Sequence, residues 1–279
     1  MKNTRTTVSI LMSLLALGLG RQALAQFTAS EVAERPKWEE FLATAEIVKW
    51  EDIGEGVTKP VKLFLKKGDV ESKGVWKNPS GIQGGFLEGW QYEIAAYRID
   101  KLLGLNMVPP TVEREFQGKK GSLQLWVTTK YSLLMMMEQH ISIPEEFRES
   151  TDKMKYIVRF FDCLIANDDR TQQNLRYTED WRTIVIDHSR SFRSSKEYVR
   201  RLVYGRNGIK SAEGRVIMFR RVPRALVDKV RALDENKIHQ AVGPYLTEEE
   251  IKAVMARQKL LLDEIAFMIK EQGEDKVLY

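Results

Sequence analysis

The hydrophobic pattern of the chain changes once, near Lys130, and this change limits the folds open to it. Before Lys130, apolar residues alternate or cluster in short runs that predict β-strands. One helix interrupts these strands, from Glu88 to Leu103, with apolar residues at helical spacing and Gly104 as its terminator. The predicted strands are Ile47–Trp50, Val61–Leu65, Gly74–Lys77, Val112–Phe116 and Leu123–Val127.

The chain beyond Lys130 is predicted to be mostly helical, since apolar residues recur there at helical spacing. The expected helix starts are Ser150 or Thr151, Pro223, and Thr247 with its capping-box partner Glu250. A glycine-rich run, residues 81–89, predicts a flexible connection into the first helix. We therefore expect an α+β fold with a sheet lobe at residues 46–130, a helical lobe at residues 131–279, and a cleft between them.

The first 25 residues predict a secretory signal peptide that is not part of the fold. Lys2 and Arg5 precede the apolar run Val8–Gly20, and Ala23-Leu24-Ala25 supplies the small residues of a cleavage site. The run is shorter than the roughly 20 residues of a transmembrane helix, so we expect export, periplasmic or secreted, with no stable membrane span after cleavage. An uncleaved membrane anchor is the alternative. Residues 26–45 then form an N-terminal extension.

The charge of the chain gives no support for nucleic-acid binding. The formal net charge is +5, and cleavage after residue 25 would remove three cations and no acids, which leaves +2. The charge is uneven, because Arg190–Arg224 carries 11 Lys or Arg and only two acids. This basic segment is expected either to receive an anionic acceptor or to be a solvated surface. Pairing of Arg190 and Arg193 with local acids is a further alternative.

Two carboxylates and one amide in a short segment carry the main chemical signal. Asp169 precedes Asn174 by five residues, and Asp187 follows the apolar strand Thr183–Ile186. In the catalytic loop of protein kinases this spacing separates a catalytic carboxylate from an amide that binds a metal. Asp187 would add a second hard oxygen of the kind that Mg²⁺ prefers. The alternative is an exposed acidic turn capped by Asn174, since the spacing alone is common.

Lys77 and Glu93 add two further groups in the order that a kinase requires. Lys77 ends a predicted strand, where a phosphate-binding lysine would project into the cleft. Glu93 lies on the next helix and would pair with it. A single strand lysine is usually solvated. The order of lysine, helix glutamate, D-x-x-x-x-N and Ile-Asp nevertheless favours a functional site.

Three segments of the chain resemble a known group of kinases. Glu93–Gly104 followed by Val108-Pro109-Pro110 is similar to an αC helix and the strand after it. Asp169–Asn174 resembles a D-R-H-x-x-N loop, and Ile186–Ser189 resembles I-D-F-G or I-D-N-G. These motifs belong to atypical kinases related to phosphatidylinositol 3/4-kinases, HipA-type kinases and secretory-pathway protein kinases. The resemblance covers residues 46–270 and implies a bilobal protein-kinase-like α+β fold, with an antiparallel-sheet N-lobe, one αC-type helix and a mainly helical C-lobe.

The resemblance implies a role for each matching residue. Lys77 would contact the phosphates of ATP, Glu93 would orient Lys77, and Asp169 would be the catalytic carboxylate. Asn174 and Asp187 would bind Mg²⁺ or Mn²⁺. The implied nucleotide contacts are Gly54, Gly56 and Val57 of a Gly-rich loop, and Trp126, Val127 and Thr128 of a hinge.

Two departures from the family pattern leave the catalytic groups in place. Thr171 stands where the family has histidine, and Ser189 stands where it has glycine after the metal-binding aspartate. Neither change removes a ligand or a charge. We therefore expect an ATP-dependent phosphotransferase that acts on a hydroxyl of a protein, lipid or small molecule. A nucleotide-binding pseudokinase that serves as an interaction module, and AMP transfer on the same fold, stay open as alternatives.

Overall fold

The computed structural model describes residues 27–54, 59–211 and 220–279. Its strands are β1 Glu46–Asp52, β2 Val61–Lys67, β3 Val70–Lys77, β4 Ser80–Gln83, β5 Phe86–Gly89, β6 Thr111–Phe116, β7 Lys119–Leu125, β8 Tyr131–Ser132, β9 Leu175–Tyr177 and β10 Thr183–Val185. Its helices are α1 Ala29–Ala33, α2 Arg35–Thr44, α3 Trp90–Leu103, α4 Leu133–Glu138, α5 Glu145–Ile165, α6 Arg224–Arg231, α7 Glu235–Val242, α8 Glu248–Gln272 and α9 Glu274–Val277. The predicted signal peptide, Gly56, Val57 and part of the basic segment lie outside the described residues.

Five antiparallel strands form the main sheet, in the order β1-β2-β3-β7-β6. All five predicted strands are present, but β7 ends at Leu125, two residues before the expected Val127. Its neighbour β6 begins only at Thr111 because the preceding Pro109 and Pro110 have no N–H group to donate to a sheet. The chain beyond Leu125 therefore leaves the sheet at the position predicted for the hinge.

The glycine-rich run between β3 and α3 forms a hairpin, so the predicted flexible connection is wrong. Strands β4 and β5 pair antiparallel, with Gln83 opposite Phe86. Gly84 and Gly85 occupy the two turn positions with φ of 57° and 86°. A two-residue hairpin turn requires left-handed backbone of this kind, and a Gly-Gly pair adopts it without a steric penalty. The pair is therefore the turn of a defined element.

Helix α5, which the sequence predicted to start at Ser150 or Thr151, begins earlier. Helix α5 starts at Glu145, directly after Pro144, and the expected caps Ser150 and Thr151 lie inside it. Acidic residues in the first turn favour this start because they oppose the positive end of the helix dipole. The confirmed helix signals are the left-handed cap Gly104 after α3, Pro223 before α6, and the capping box of Thr247 with Glu250 before α8.

Two apolar cores hold the fold, one on the outer face of the main sheet and one among the helices. Alternate residues of β2, including Leu63 and Leu65, pack against Phe41 and Leu42 of α2. The larger core joins α3 to the helices of the second lobe. The opposite face of the sheet, which carries Lys77, is only partly buried. This face is available to line a cleft.

The N-terminal segment 27–44 docks on both lobes. Glu31 forms an ion pair at 2.5 Å with Arg182, which lies between β9 and β10. Glu39 of α2 accepts a hydrogen bond of 2.5 Å from the Tyr97 hydroxyl of α3. A second, small sheet of the helical lobe consists of three antiparallel strands in the order β10-β9-β8. The residues predicted as an extension therefore cover α3 from outside and also contact this small sheet.

A buried ion pair joins this segment to α3. Arg35 lies 3.5 Å from Asp100 Oδ2, and its guanidinium lies over the rings of Phe27 and Tyr97. The fully buried Asp100 also accepts the N–H of Met107 at 3.0 Å. Burial raises the pKa of Asp100 to about 7, although Met107 and Arg35 act in the opposite direction. The stability contributed by a raised carboxyl pKa is present below about pH 4 and is lost as the pH rises through about 7.

Replacement of Arg35 by Met should lower the free energy of unfolding by about 3–5 kcal/mol at pH 8, because it leaves a buried carboxylate without its counter-charge. At pH 5 the loss should be smaller, since Asp100 is then protonated. Urea unfolding at the two pH values measures the difference. In an Asp100→Asn background the loss should no longer depend on pH. Equal losses at both pH values in the single variant would contradict this account.

Candidate active site

Lys77 lies at the end of β3 and contacts two carboxylates from distant parts of the chain. Its Nζ is 2.7 Å from Glu93 Oε1 and 2.7 Å from Asp187 Oδ1. Burial alone would lower the pKa of Lys77, but Asp187 and Glu93 raise it above its ordinary value. The ammonium group is therefore charged at neutral pH, and the pairing of Lys77 with Glu93 that the sequence predicted is present.

Glu93 lies in the first turn of α3 and is fixed from two sides. One carboxylate oxygen accepts from Lys77, and the other accepts the backbone N–H of His188 at 3.0 Å. Burial alone would raise the pKa of Glu93, but Lys77 lowers it below its usual range. Because His188 directly follows Asp187, the second hydrogen bond ties α3 to the segment that carries a predicted metal ligand.

Asp187 and Asn174 lie side by side at the inner end of the small sheet. Asp187 follows β10 with a φ of 63°, and this left-handed turn directs the chain out of the strand. Asp adopts such a conformation more readily than most residues, although it costs about 1–2 kcal/mol. The Asn174 amide nitrogen lies 3.4 Å from Asp187 Oδ2, and Ile186 N–H donates to the Asn174 carbonyl. The two predicted metal ligands are therefore adjacent.

Arg170 connects the segment of Asp169 to the end of β10. Its guanidinium donates to both carboxylate oxygens of Asp162, at 2.9 and 3.1 Å, and to the carbonyl of Ile186 at 2.6 Å. It also lies 2.9 Å from Nε2 of His188. Burial alone would lower the pKa of Arg170, but Asp162 raises it. The sequence placed Arg170 in a motif without a role, and the structure gives it this supporting position.

The carboxylate of Asp169 is partly exposed beside this network. Its Oδ2 lies 3.4 Å from Arg190 Nη1, and its backbone N–H donates to Asn167 at 3.1 Å. Burial raises the pKa of Asp169 above its ordinary value, while Arg190 acts in the opposite direction. A carboxylate with a raised pKa and a side open to solvent is suited to accept a proton from a bound molecule.

Ser189, the second departure from the family pattern, makes contacts that a glycine cannot make. Its hydroxyl donates to the buried Glu88 of β5 at 2.7 Å and lies 3.3 Å from Asp187. Its carbonyl accepts the N–H of Gly89 at 2.9 Å. Ser189 therefore joins the β4–β5 hairpin to the segment of Asp187.

The basic segment Arg190–Arg224 uses many of its arginines in ion pairs. Arg190 and Arg193 do pair with acids, but their partners Glu88 and Asp168 are distant in the chain and not local. Lys210 and Arg190 also lie close enough to Asp169 to act on its pKa. An anionic acceptor at this segment stays a prediction. The ion pairs in its described part are Arg190 with Glu88 and Asp169, Arg193 with Asp168, Arg201 with Glu197, Arg206 with Glu264, and Arg224 with Glu274.

Four of the six residues predicted to contact the nucleotide only by the resemblance lie among the described residues: Gly54, Trp126, Val127 and Thr128. Gly54 follows β1 with a φ of 73°, and an added Cβ would meet no atom of the described residues within 4 Å. Gly56 and Val57 lie outside the described residues. Trp126 and Thr128 are exposed just after β7, and Val127 is half-buried. Their roles in binding stay predictions.

Lys62, Phe64 and Lys73 share a sheet face with Lys77 and were missed by the sequence analysis. The Lys62 ammonium lies 4.4 Å from the ring centre of Trp126, and the ammonium groups of Lys62 and Lys73 each lie 5.4 Å from that of Phe64. The strand register places all of them on one side. The alternation of β2 contained this signal, because its buried residues leave Lys62 and Phe64 on the other face.

The metal-binding side chains of the site fit a divalent cation that binds together with substrate phosphate groups. In residues 27–54, 59–211 and 220–279, no group of three or more His, Cys, Asp or Glu could hold a metal ion by itself. Asn174 and Asp187 supply one amide and one carboxylate within 3.4 Å. Mg²⁺ commonly takes one or two protein carboxylates or amides and completes its shell with substrate phosphates and water. The pair therefore fits such a cation.

Comparison with solved structures identifies the fold. The structure of hydra Fam20 with sugar matches with a TM-score of 0.65 at 17% identity, over 90% of this chain and 94% of that chain. The Golgi casein kinase matches with a TM-score of 0.59 at 15% identity, and its form with Mn/ADP bound matches with 0.62 at 14% identity. Each of these two matches covers 88% of this chain and 78% of the other chain.

These similarities show the fold, and the sequence itself matches no family model and no curated protein. The chain has the atypical secretory-pathway kinase-like fold, with an antiparallel N-terminal sheet, α3 after its first strands and a helical C-terminal region. The predicted fold class is therefore confirmed. Within the part of the chain that the structure describes, no helix is both long and apolar enough to cross a bilayer.

Replacement of Ser189 by Ala should lower the free energy of unfolding by about 1–3 kcal/mol, because Glu88 loses a hydrogen-bond donor while it stays buried. Ser191→Ala is the matched control. Ser191 is also buried, and its hydroxyl has no hydrogen-bond partner among the described residues. Its removal should therefore be neutral or slightly stabilising. Urea unfolding compares the two variants, and equal effects would show that the Ser189–Glu88 contact has no energetic role.

Proposed function

We propose that this protein is a phosphotransferase that moves the γ-phosphate of ATP to a hydroxyl group. The supporting observation is the position of Lys77 between Glu93 and Asp187, at 2.7 Å from each. In protein kinases the lysine–glutamate pair and the metal-binding aspartate must both be in place for transfer. Here the three groups already lie together. The partly exposed Asp169 adds a proton acceptor near them.

In the proposed reaction Asp169 accepts the proton of the acceptor hydroxyl while the hydroxyl oxygen attacks the γ-phosphorus. The bond from the γ-phosphorus to the β–γ bridging oxygen breaks, and ADP leaves with the electron pair of that bond. Lys77 donates hydrogen bonds to phosphate oxygens, where a fixed positive charge stabilises the charge of the transition state. Glu93 holds Lys77 in place throughout.

Asn174 and Asp187 would hold Mg²⁺ or Mn²⁺ beside the phosphates. When bound, the cation neutralises charge on the β- and γ-phosphate oxygens. The Golgi casein kinase structure with Mn/ADP bound, which has this fold, supports a site for a nucleotide with a divalent metal. Asp187 and Asn174 would supply a carboxylate oxygen and an amide oxygen to the cation, and Arg170 holds the carbonyls of Ile186 and Asn174 that position these ligands.

We also propose an anionic hydroxyl acceptor and an exported protein. Burial raises the pKa of Asp169, as do Asp187 and Asp168, while Arg190 and Lys210 of the basic segment act in the opposite direction. The excess of cations along Arg190–Arg224, 11 Lys or Arg against two acids, supports an anionic acceptor. The charge and hydropathy of residues 1–25 support export through a signal peptide. The likeness in fold to a kinase of the Golgi agrees with such a location.

Protein that lacks residues 1–25 should transfer the γ-phosphate of labelled ATP to a suitable acceptor when Mg²⁺ or Mn²⁺ is present. Asp169→Asn should lower kcat by about 10²–10⁴-fold, because it removes the proton acceptor. Asp187→Ala should abolish both transfer and metal-dependent nucleotide binding. Asp263→Asn is the control, since this carboxylate is exposed on α8 and pairs with Lys259, and it should keep the wild-type rate.

Two other results would contradict the proposal. Thermal stabilisation by nucleotide without any turnover would establish a binding module instead of an enzyme. Transfer of label from the α-phosphate would establish AMP transfer. Label at the α-phosphate and at the γ-phosphate in parallel reactions distinguishes these outcomes.

Lys62→Met should weaken the binding of ATP with Mg²⁺ by about 10- to 100-fold, because a hydrogen bond to a charged group contributes about 1.5–3 kcal/mol. Lys67→Met is the control, since Lys67 lies on the same strand but pairs with Glu40 of α2 on the outer face. Isothermal titration calorimetry with a non-hydrolysable ATP analogue measures both. If Lys62→Met and Lys67→Met bind the analogue equally well, the sheet face around Lys62 does not contact the nucleotide.

A further inference from the structure

Arg190 bridges two carboxylates in the same way that Lys77 does. Its Nε donates to Glu88 Oε1 at 2.8 Å, and its Nη1 lies 3.4 Å from Asp169 Oδ2. Glu88 belongs to the β4–β5 hairpin of the sheet lobe, and Asp169 belongs to the helical lobe. Each of the two cations therefore joins a glutamate of one lobe to an aspartate of the other.

The hairpin side of this second bridge is fixed. Glu88 is only 2% exposed, and its other oxygen accepts from the Ser189 hydroxyl at 2.7 Å. The guanidinium carbon of Arg190 lies 4.4 Å from the ring centre of Phe86. A buried carboxylate without a counter-charge is strongly destabilising, so Glu88 requires a cation at this place. Arg190 is therefore held by the hairpin on one side and faces Asp169 on the other.

The Asp169 side of the bridge is less enclosed. The Asp169 side chain is 37% exposed, and its distance to Arg190 is longer than that from Arg190 to Glu88. Arg190 is therefore the more firmly held of the two side chains, and its guanidinium determines the position of the Asp169 carboxylate. A catalytic group must keep its geometry closely, since a misplacement of about 1 Å can cost about 10²-fold in rate.

We propose that Arg190, held by Glu88, is a positioning residue that sets the carboxylate of Asp169 toward the acceptor hydroxyl. This makes the β4–β5 hairpin part of the catalytic apparatus, although it carries no catalytic residue itself. The inference rests on the proposed function, in which Asp169 accepts the proton. A purely structural ion pair is the rival explanation, and the chain contains a matched example. Arg182 also bridges two carboxylates, Glu31 and Asp180, and is 17% exposed against 16% for Arg190.

The test compares Arg190→Met, Arg190→Lys and Glu88→Gln with Arg182→Met in the phosphate-transfer assay. Arg190→Met should lower kcat by about 10²-fold and leave the Kd for ATP unchanged, because Arg190 positions the acceptor side and not the nucleotide. Arg190→Lys should recover part of the rate, since it restores the charge but not the two-pronged geometry. Glu88→Gln should also lower kcat. Arg182→Met should lose stability but keep the wild-type kcat.

The combination of Glu88→Gln with Arg190→Met should be no slower than Arg190→Met alone, because both changes break one bridge. Three results would overturn the inference: a kcat for Arg190→Met equal to that of Arg182→Met, a loss of ATP affinity as large as the loss of kcat, or multiplied effects in the double variant. If Arg190→Met does not fold, Arg190→Lys and Glu88→Gln carry the same comparison.

Failure of the proposed function leaves the bridge testable. If the wild-type protein transfers no phosphate, the proposed function is wrong. The melting temperatures of Arg190→Met, Asp169→Asn and their double variant then test whether the two side chains interact. A shift of the double variant smaller than the sum of the single shifts would support contact between the two side chains. Additive shifts would show that the side chains of Arg190 and Asp169 do not interact, which would overturn the inference.

Discussion

The rest of the structure depends on the burial of one ammonium group, that of Lys77. A cation removed from water without partners is very costly, so its position requires both Glu93 and Asp187 at hydrogen-bond distance. These carboxylates come from the start of α3 and from the chain after β10. The two ion pairs of Lys77 therefore fix the position of α3 against the main sheet. They also fix the small sheet of the helical lobe relative to α3 and the main sheet. Asp187 accepts a left-handed backbone at this point, with a φ of 63°.

Helix α3 is held by buried ion pairs near both of its ends. Glu93 pairs with Lys77 in the first turn, and Asp100 pairs with Arg35 seven residues later, about 10 Å along the axis. Arg35 belongs to the N-terminal segment, which also contacts the helical lobe. The orientation of the glutamate in the cleft is thus fixed by the sheet on one side and by a segment remote from the cleft on the other.

Local periodicity was enough to predict the five strands of the main sheet, the helices α3, α5, α6 and α8, and the order of the chemical groups, because each is encoded within a few residues. The hairpin was missed, since Gly84 and Gly85 were interpreted by composition and not as a turn type. The contacts of Arg190 were beyond local patterns, because Glu88 and Asp169 lie far from it in the chain and no spacing rule connects them. Lys62 was different: strand alternation alone would have placed it on the face of Lys77.

The structure shows what Thr171 and Ser189, the two departures from the family pattern, contact in this chain. Thr171 is exposed, and the support of the Asp169 segment comes from its neighbour Arg170, whose side chain is only 7% exposed and holds Asp162 and Ile186. The replacement of a histidine therefore removes no buried contact from this chain. Ser189 adds a hydrogen bond to Glu88, the residue that also holds Arg190. The two lobes are therefore joined by two cations, Lys77 and Arg190. The Ser189 hydroxyl links a carboxylate partner of each, Asp187 and Glu88. The position of the β4–β5 hairpin is thus coupled to the positions of Asp187 and Asp169.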